Sequence, residues 1–198
     1  MSEQAAGRPI INIEGDLVAL GPLREENIPL YVRWMNDYDT SSRLLTPPRP
    51  YTAEQEAAWV QQASNAENPT FTIFERATWQ AIGNCGIHAI DWVNRTTTVG
   101  IMIGEPDARG KGFGTEAMRL LLDHAFTVLN LHSVMLTVYG YNLPAQRTYA
   151  KVGFREIGRR REARWHNGRF WDEIYMDILA AEFESPVLKT LLAPAPRT

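Results

Sequence analysis

The sequence predicts one α/β domain of the α+β type, in which a mostly antiparallel mixed sheet is flanked by helices. Runs with alternating apolar residues follow one another over residues 70–104, and helical apolar patterns lie before and after them. The length of 198 residues is also usual for one domain with its own core. We expect this domain to span residues 10–184, between a flexible N-terminus (1–9) and a C-terminal tail (185–198).

The composition excludes several classes of protein. The net charge of −3 argues against a general nucleic-acid or membrane-surface binder. No apolar run approaches the roughly 18 residues that a membrane-spanning helix needs. Cys85 is the only cysteine, which excludes a disulfide framework. Because the N-terminus also lacks a signal-peptide pattern, we expect a cytoplasmic protein with neither nucleic acid nor membrane as partner.

The N-terminal part of the chain predicts two short strands and two helices. Residues 10–23 alternate apolar side chains around a Gly-Asp turn, as in a hairpin. Residues 24–37 carry apolar side chains at helical spacing and predict the first helix. The proline-rich stretch 42–51 predicts a loop, after which Thr52 and Gln55 form a capping box that opens the second helix.

The strands of the central sheet come next. Runs over 70–76, 81–91 and 96–104 predict an antiparallel meander. A core-facing helix then follows, with apolar residues at helical spacing: Ala117, Met118, Leu121, Leu122, Ala125, Phe126 and Leu129.

The C-terminal third predicts a strand, a helix and a hairpin. Residues 132–139 form a buried strand, and 142–154 form a short helix that stops at Gly153. A final hairpin turns at Asn167-Gly168, since an Asn-Gly pair favours a two-residue turn.

The stretch "DARGKGFGTEAM" (107–118) is the main functional signal. Glycines at 110, 112 and 114 precede a predicted helix, whose first N–H groups and positive dipole end attract anions such as phosphate. Glycine lets the backbone curl and approach a ligand without a Cβ clash. Arg109 and Lys111 add positive charge, so the turn predicts a site for a phosphorylated cofactor.

Two common phosphate-binding motifs do not fit this turn. A P-loop requires Ser or Thr after Gly-Lys, and here Gly110-Lys111 is followed by Gly112. The stretch 112–117 matches the dinucleotide-binding pattern GxGxxA, but the next strand ends without the acidic residue that would hold a ribose. A nicotinamide-linked oxidoreductase is therefore a weak alternative.

A third pattern, [Q/R]-x-x-G-x-[G/A], is matched by Arg109, Gly112 and Gly114. Residues 142–154, "NLPAQRTYAKVGF", match N-x-x-[A/S]-x-x-x-Y-x-K-x-G-F. With these two motifs the sequence resembles the GNAT (GCN5-related) N-acetyltransferases, in particular the branch of RimJ/RimL and the spermidine acetyltransferases. The resemblance is specific over about residues 96–178.

The resemblance implies the GNAT fold and acetyl-CoA as cofactor, with the glycine turn at its pyrophosphate. It also implies that the strand edge at 102–104 runs beside the pantetheine arm, next to a bulge that separates two strands. The implied cofactor residues are Met102, Ile103, Gly104, Arg109, Gly110, Lys111, Gly112, Phe113, Gly114, Thr115, Asn142, Ala145, Tyr149 and Lys151.

The implied reaction is direct attack of a neutral primary amine on the acetyl thioester in a ternary complex. Tyr149 is expected to protonate the departing thiolate, because a phenol with a pKa near ~10 can donate to a thiol with a pKa near ~8.5. Thr98 stands where some relatives carry a Glu and cannot act as a base. Candidates for the base are Glu105, Asp91, His88, His166, Asp172 and Glu173. A proton wire through water and attack by the small neutral fraction of the amine are equally open alternatives, so the base is left unassigned.

The acceptor is less well determined by the sequence. Spermidine acetyltransferases have an acidic loop after the first helix, whereas residues 40–53 here contain no carboxylate, which argues against a polyamine. Trp34, Asn36, Asp37 and Trp165 are candidates for the acceptor pocket. We rank a small-molecule primary amine first and a peptide N-terminus second, ahead of a non-catalytic acyl-CoA-binding module.

Three further features have simple interpretations. Cys85 is expected to be a packed strand thiol, and the four histidines lack metal-ligand spacing, so no metal is expected. Six arginines on the last hairpin either are solvated or face an anionic partner: Arg155, Arg159, Arg160, Arg161, Arg164 and Arg169. The segment 185–192 is a candidate surface for homo-oligomerisation.

Overall fold

The computed structural model describes residues 8–46 and 49–194 of the chain. Its centre is one eight-stranded sheet. The strands are β1 (Ile13–Glu14), β2 (Val18–Pro22), β3 (Thr70–Glu75), β4 (Ala81–Asp91), β5 (Thr96–Ile103), β6 (Ser133–Tyr139), β7 (Arg155–His166) and β8 (Arg169–Leu179).

The sheet is mixed and mostly antiparallel, as the sequence predicts. Strands β1 to β5 pair in chain order and antiparallel, β6 joins β5 in parallel, and β8 lies between β6 and β7. The hairpin β7–β8 turns at Asn167 and Gly168, which both have a left-handed backbone. The predicted meander and final hairpin are therefore confirmed.

Helices cover both faces of the sheet. They are α1 (Ile28–Asn36), α2 (Tyr38–Ser41), α3 (Ala53–Ser64), α4 (Phe113–Asp123), α5 (Leu143–Val152) and α6 (Leu188–Leu191). The capping box of Thr52 and Gln55 opens α3, and Gly153 ends α5 with φ of 118°, both as predicted. The single turn α2 is not predicted by the sequence; Asp37 caps it by accepting from the backbone N–H groups of Asp39 and Thr40.

Each face of the sheet has its own hydrophobic core. On one face α4, α5 and α6 pack on the strands through residues such as Met118, Val152 and Leu188. On the other face α1 and α3 contribute a smaller cluster that includes Trp34 and Val60. The sheet is thus a middle layer with helices on both faces, while the residues of its edge strand β7 are all exposed or half-buried.

The packed part of the chain continues past residue 184, where we expected the domain to end. Leu188 is buried in the larger core, while Leu191 and Leu192 are exposed. The fully buried carboxylate of Asp123 accepts hydrogen bonds from the backbone N–H groups of Val187 (3.0 Å) and Leu188 (2.8 Å). This cap fixes the segment 185–192 to the end of α4.

At the other end of the chain, Arg8 pairs with Glu14 and lies over the ring of Trp79. The remaining terminal residues, 1–7 and 195–198, lie outside the described part, and so does this portion of the expected flexible N-terminus and C-terminal tail. Within the described residues, no helix combines the length and apolar character that a bilayer crossing requires.

Replacing Asp123 by Ala should lower the free energy of unfolding by about 2–4 kcal/mol, because two buried N–H groups lose their acceptor. Denaturant unfolding followed by circular dichroism measures this change. The control Thr127→Val removes only the hydroxyl that donates to Asp123 and should cost about 1 kcal/mol. Equal costs for the two variants would contradict the capping role.

Candidate active site

The cavity that we call the main cavity lies where β5 and β6 separate, beside the glycine turn. The two strands pair only from Thr96 to Thr98, opposite Ser133 to Met135. Beyond this point, residues 101–103 of β5 and 137–139 of β6 line a cavity of about 600 Å³. The separation agrees with the sequence expectation, but the irregular register lies in the neighbouring β4, between His88 and Asp91.

The glycine turn closes one end of this cavity. Gly110 and Gly112 have φ of 74° and 91°, a left-handed backbone that side chains with a Cβ rarely adopt. Gly112 is the N-cap of α4, and its carbonyl accepts from the N–H groups of Thr115 and Glu116. The preceding N–H groups at the start of α4 are left for a ligand, so the turn presents an anion site to the cavity.

Eleven of the fourteen predicted cofactor residues line this cavity: Met102, Ile103, Arg109, Gly110, Gly112, Gly114, Thr115, Asn142, Ala145, Tyr149 and Lys151. The other three are placed differently. Lys111 is exposed beside the turn, the Phe113 side chain is buried in the core, and Gly104 packs under the Trp34 ring.

The sequence predicts that the guanidinium of Arg109 is free to bind phosphate. In the structure, this guanidinium is instead engaged by protein groups. It donates to Asp39 Oδ2 and Thr40 Oγ1, both at 2.6 Å, and to the carbonyl oxygen of Ile103 at 3.1 Å. Its side chain therefore ties the glycine turn to α2 and to the end of β5. The roles of Asp39 and Thr40 could not be predicted from the sequence, because their partner Arg109 is about 70 residues away along the chain.

Asn142 and Tyr149 share one face of α5, as their spacing predicts. The Asn142 side chain accepts from the N–H of Ala145 and so caps the helix while it borders the cavity. Tyr149 is mostly buried but lines the cavity with its side chain. Burial raises the pKa of Tyr149 to about 12, so the phenol stays protonated at neutral pH.

A second cavity of about 440 Å³ adjoins the first and shares Arg43, Asn142 and Pro144 with it. Its wall is formed by α2 and the following turn on one side and by the tip of the β7–β8 hairpin on the other. The other lining residues are Asp39, Ser42, Tyr141, His166, Asn167, Arg169 and Trp171. We call it the hairpin cavity.

An aromatic stack stiffens the hairpin cavity. The ring of Tyr141 lies between those of Tyr139 (5.4 Å) and His166 (4.1 Å), nearly parallel to both. Its hydroxyl donates to the carbonyl oxygen of Ser42 at 2.6 Å, which links the stack to the turn after α2. Tyr141 has no motif around it, and only the folded chain reveals its position.

Of the six candidate bases, only His166 lines either of these two cavities. The other five are engaged or lie elsewhere in the described part of the chain. Glu105 pairs with Arg33, and Glu173 lies 3.5 Å from Arg160. Asp91 accepts from the N–H groups of Val93 and Asn94, and Asp172 accepts from the N–H of Glu162. His88 is exposed on β4.

The four candidate acceptor-pocket residues lie outside the linings of both cavities. Trp34 is only 1% exposed, because its ring covers Gly104 and its indole N–H donates to Glu105. Asn36 is tied to the backbone of Tyr51 by two hydrogen bonds, and Asp37 caps α2. Trp165 is 59% exposed at the hairpin tip, against Phe170. Their surroundings assign structural roles to the first three.

Cys85 is buried in the core, as expected, and burial raises the pKa of its thiol. It is therefore a poor nucleophile. Within residues 8–46 and 49–194, no group of three His, Cys, Asp or Glu side chains is arranged to hold a metal ion.

Comparison with known proteins gives the same picture as the geometry. The family model of the acetyltransferase (GNAT) domain matches residues 18–155. The human alpha/beta-tubulin-N-acetyltransferase 9 is 30% identical to this chain over 156 residues, which cover 72% of this chain and 74% of the relative. The spermidine N(1)-acetyltransferase of Escherichia coli is 28% identical over 183 residues, which cover 89% of this chain and 95% of the relative.

A solved structure is also similar. The crystal structure of the spermidine N-acetyltransferase from Vibrio cholerae, in complex with CoA and spermine, matches with a TM-score of 0.76 at 25% identity. The match covers 85% of this chain and 98% of that chain. The GNAT fold and the family resemblance expected from the sequence are thereby confirmed.

Replacing Gly112 by Val should abolish measurable acetyl-CoA binding in calorimetry. The new Cβ would lie 3.4 Å from Leu17 Cδ1, and a valine cannot easily adopt the φ of 91° at this position, so the turn that borders the cavity would have to change its backbone conformation. The control Gly168→Val adds the same side chain at φ of 80° in the hairpin turn, outside the lining of the main cavity. The control should lose stability similarly and keep its acetyl-CoA affinity. Native affinity in Gly112→Val would contradict the assignment of the turn.

Proposed function

The chain belongs to the GNAT acetyltransferase family and is an N-acetyltransferase that uses acetyl-CoA; we propose that it acetylates a primary amine of a small molecule by direct attack in a ternary complex. The observation that carries the proposal is the junction of two cavities at Asn142. The main cavity fits a long cofactor arm, and the hairpin cavity fits a second, smaller substrate.

The residues of the main cavity suit acetyl-CoA. The start of α4 offers backbone N–H groups to the pyrophosphate, and the left-handed glycines leave room for it. The edge of β5 at Ile101–Ile103, which β6 leaves unpaired, offers backbone groups to the amides of the pantetheine arm. When bound, acetyl-CoA supplies the thioester carbonyl carbon that the amine attacks.

Tyr149 stabilises the departing sulfur in this proposal. Its pKa of about 12 keeps the proton on the phenol until negative charge develops on the sulfur, to which the hydroxyl then donates a hydrogen bond. The thiolate of a thiol with a pKa near ~8.5 is a weaker base than the phenolate. The hydrogen bond therefore matters more than a complete transfer of the phenolic proton.

His166 accepts the proton that the amine loses. It lines the hairpin cavity, and its stack on Tyr141 holds the plane of the ring. A neutral imidazole has a free ring nitrogen that can take a proton near neutral pH and return it to solvent. In this proposal Tyr149 on α5 donates a hydrogen bond to the leaving sulfur, and His166 on the hairpin accepts the proton of the amine.

A peptide N-terminus is the second candidate acceptor. Trp165 and Phe170 form an exposed aromatic pair at the tip of the hairpin that borders the hairpin cavity, and a polypeptide beyond its first residues would find an apolar surface there. The relative named as a tubulin acetyltransferase acts on a protein, according to its name. The small volume of the hairpin cavity, about 440 Å³, in contrast favours the small molecule.

The experiment that tests the proposed function measures free CoA released from acetyl-CoA in the presence of pooled acceptors. The pools hold amino acids, amino sugars, amine antibiotics, polyamines and short peptides with free N-termini. Release with a small-molecule pool supports the first candidate, and release with peptides alone supports the second. Acetyl-CoA binding without release in any pool would contradict an amine acetyltransferase.

Replacing Tyr149 by Phe should lower kcat at least 100-fold, because the group that stabilises the leaving sulfur is lost. Acetyl-CoA affinity and the melting temperature should stay near those of the native enzyme, since the phenyl ring preserves the packing against Phe154. Stopped assays of turnover and calorimetric titration measure the two effects. An unchanged kcat would remove Tyr149 from the mechanism.

Replacing His166 by Gln should lower kcat about 10- to 100-fold near pH 7 without changing the KM for acetyl-CoA. The deficit should shrink as the pH rises, because more of the acceptor amine is already unprotonated. Tyr149 should not interfere up to about pH 10, since its pKa is about 12. A deficit that is constant with pH would indicate that His166 only shapes the cavity.

A further inference from the structure

The six arginines of the last hairpin fall into different environments. Three are neutralised by carboxylates: Arg155 pairs with Glu182, Arg159 with Glu156 and Arg160 with Glu173. Arg164 lies over the ring of Tyr139, and Arg161 is exposed. Arg169 lines the hairpin cavity, with its guanidinium 3.6 Å from the centre of the Trp171 ring. In the described part of the chain, Arg169 forms no ion pair with a carboxylate.

The single carboxylate in the lining of the hairpin cavity is already neutralised. Asp39 Oδ1 accepts from Arg43 at 2.6 Å, and Asp39 Oδ2 accepts from Arg109 at 2.6 Å. An ammonium group that approached Asp39 would have to compete with two guanidinium groups. The cavity therefore contains no carboxylate that is ready to bind a second positive charge of the acceptor.

The charged lining of the hairpin cavity is positive on balance. The lining contains two arginines, Arg43 and Arg169, and one carboxylate, that of Asp39. Asp39 pairs with Arg43 and also with Arg109, which lies outside this cavity. Cations gathered at a partly enclosed site attract an anion and repel a polycation. Guanidinium groups also match the planar geometry of a carboxylate.

We propose that the acceptor of this enzyme carries a negatively charged group, such as a carboxylate, in addition to its reacting amine. Arg169 and Arg43 bind this group, and His166, which stacks on Tyr141 in the wall of the same cavity, meets the amine. The proposal rests on the function proposed above and narrows its substrate class. It separates this chain from its polyamine-acetylating relatives, because a distal ammonium would meet two guanidinium groups.

Three amines of equal length test the charge preference: 4-aminobutanoate, butylamine and 1,4-diaminobutane. They differ only in whether the far end is negative, apolar or positive. With rates compared per unprotonated amine, kcat/KM should be about tenfold or more higher for 4-aminobutanoate than for butylamine, and lowest for the diamine. Added salt should reduce the difference.

Variants connect the preference to the cavity. Arg169→Gln should bring the ratio of kcat/KM for 4-aminobutanoate to kcat/KM for butylamine close to one, whatever happens to the two absolute rates. The control Arg161→Gln removes the same charge from an exposed position of the same hairpin, outside the lining of the hairpin cavity, and should keep the preference. A preference that survives in Arg169→Gln would overturn the assignment of this residue.

A second arm distinguishes a free small molecule from a peptide source of the carboxylate. It compares the dipeptides Ser-Asp and Ser-Asn, both amidated at the C-terminus, so that they have nearly equal shape and the Asp side chain supplies the one carboxylate in the pair. Faster acetylation of Ser-Asp, with the same sensitivity to Arg169→Gln, would support an acidic peptide N-terminus.

The outcomes also separate this proposal from the function itself. Acetylation of butylamine or 1,4-diaminobutane at least as fast as of 4-aminobutanoate would overturn the anionic acceptor and leave the amine acetyltransferase intact. The same holds if a neutral amine from the pools is acetylated and no anionic amine is. No CoA release with any amine, despite acetyl-CoA binding, would overturn both.

Discussion

The separation of β5 from β6 is the constraint on which the rest of the site depends. A parallel pair that stays in register would bury its backbone groups in a ladder and leave no room between the strands. Here the ladder stops at Thr98 and Met135, so the end of β5 keeps unpaired backbone groups at the wall of a cavity. Val134, Leu136 and Val138 of β6 belong to the larger core, while Met102 of β5 belongs to the smaller core on the other face.

Arg109 connects the two halves of the site across this opening. It belongs to the glycine turn, yet its guanidinium binds Asp39 and Thr40 of α2 and the carbonyl of Ile103 on β5. The sequence motif assigns Arg109 to an anion. In the structure, its side chain instead connects the glycine turn to α2, which borders the hairpin cavity. The same ion pair neutralises Asp39, which gives the hairpin cavity its positive character. Arg109 thus both positions the glycine turn and contributes to the charge of the hairpin cavity.

Local patterns predicted most of the fold and most of the residues that line the main cavity. The capping box at Thr52, the glycine turn at 110–114 and the stop at Gly153 are determined by residues close in sequence, so a single sequence reveals them. The acceptor half could not be predicted in this way, because Tyr141, Asp39 and Arg169 come together only through long-range contacts. From the sequence, Trp34 is a candidate for the acceptor pocket, but its ring is buried over Gly104. This glycine has no side chain and so leaves the space that the Trp34 ring fills.

Amide hydrogen exchange with and without CoA tests the central claim most directly, because it reports where the cofactor contacts the backbone. New protection is expected at residues 101–103 of β5 and at 110–115 in the glycine turn and the start of α4. Residues 71–74 of β3, which are paired on both sides in the sheet, should stay unchanged. Protection confined to other elements, with exchange at 101–103 and 110–115 unaffected, would contradict the claim that the opening between β5 and β6 is the cofactor site.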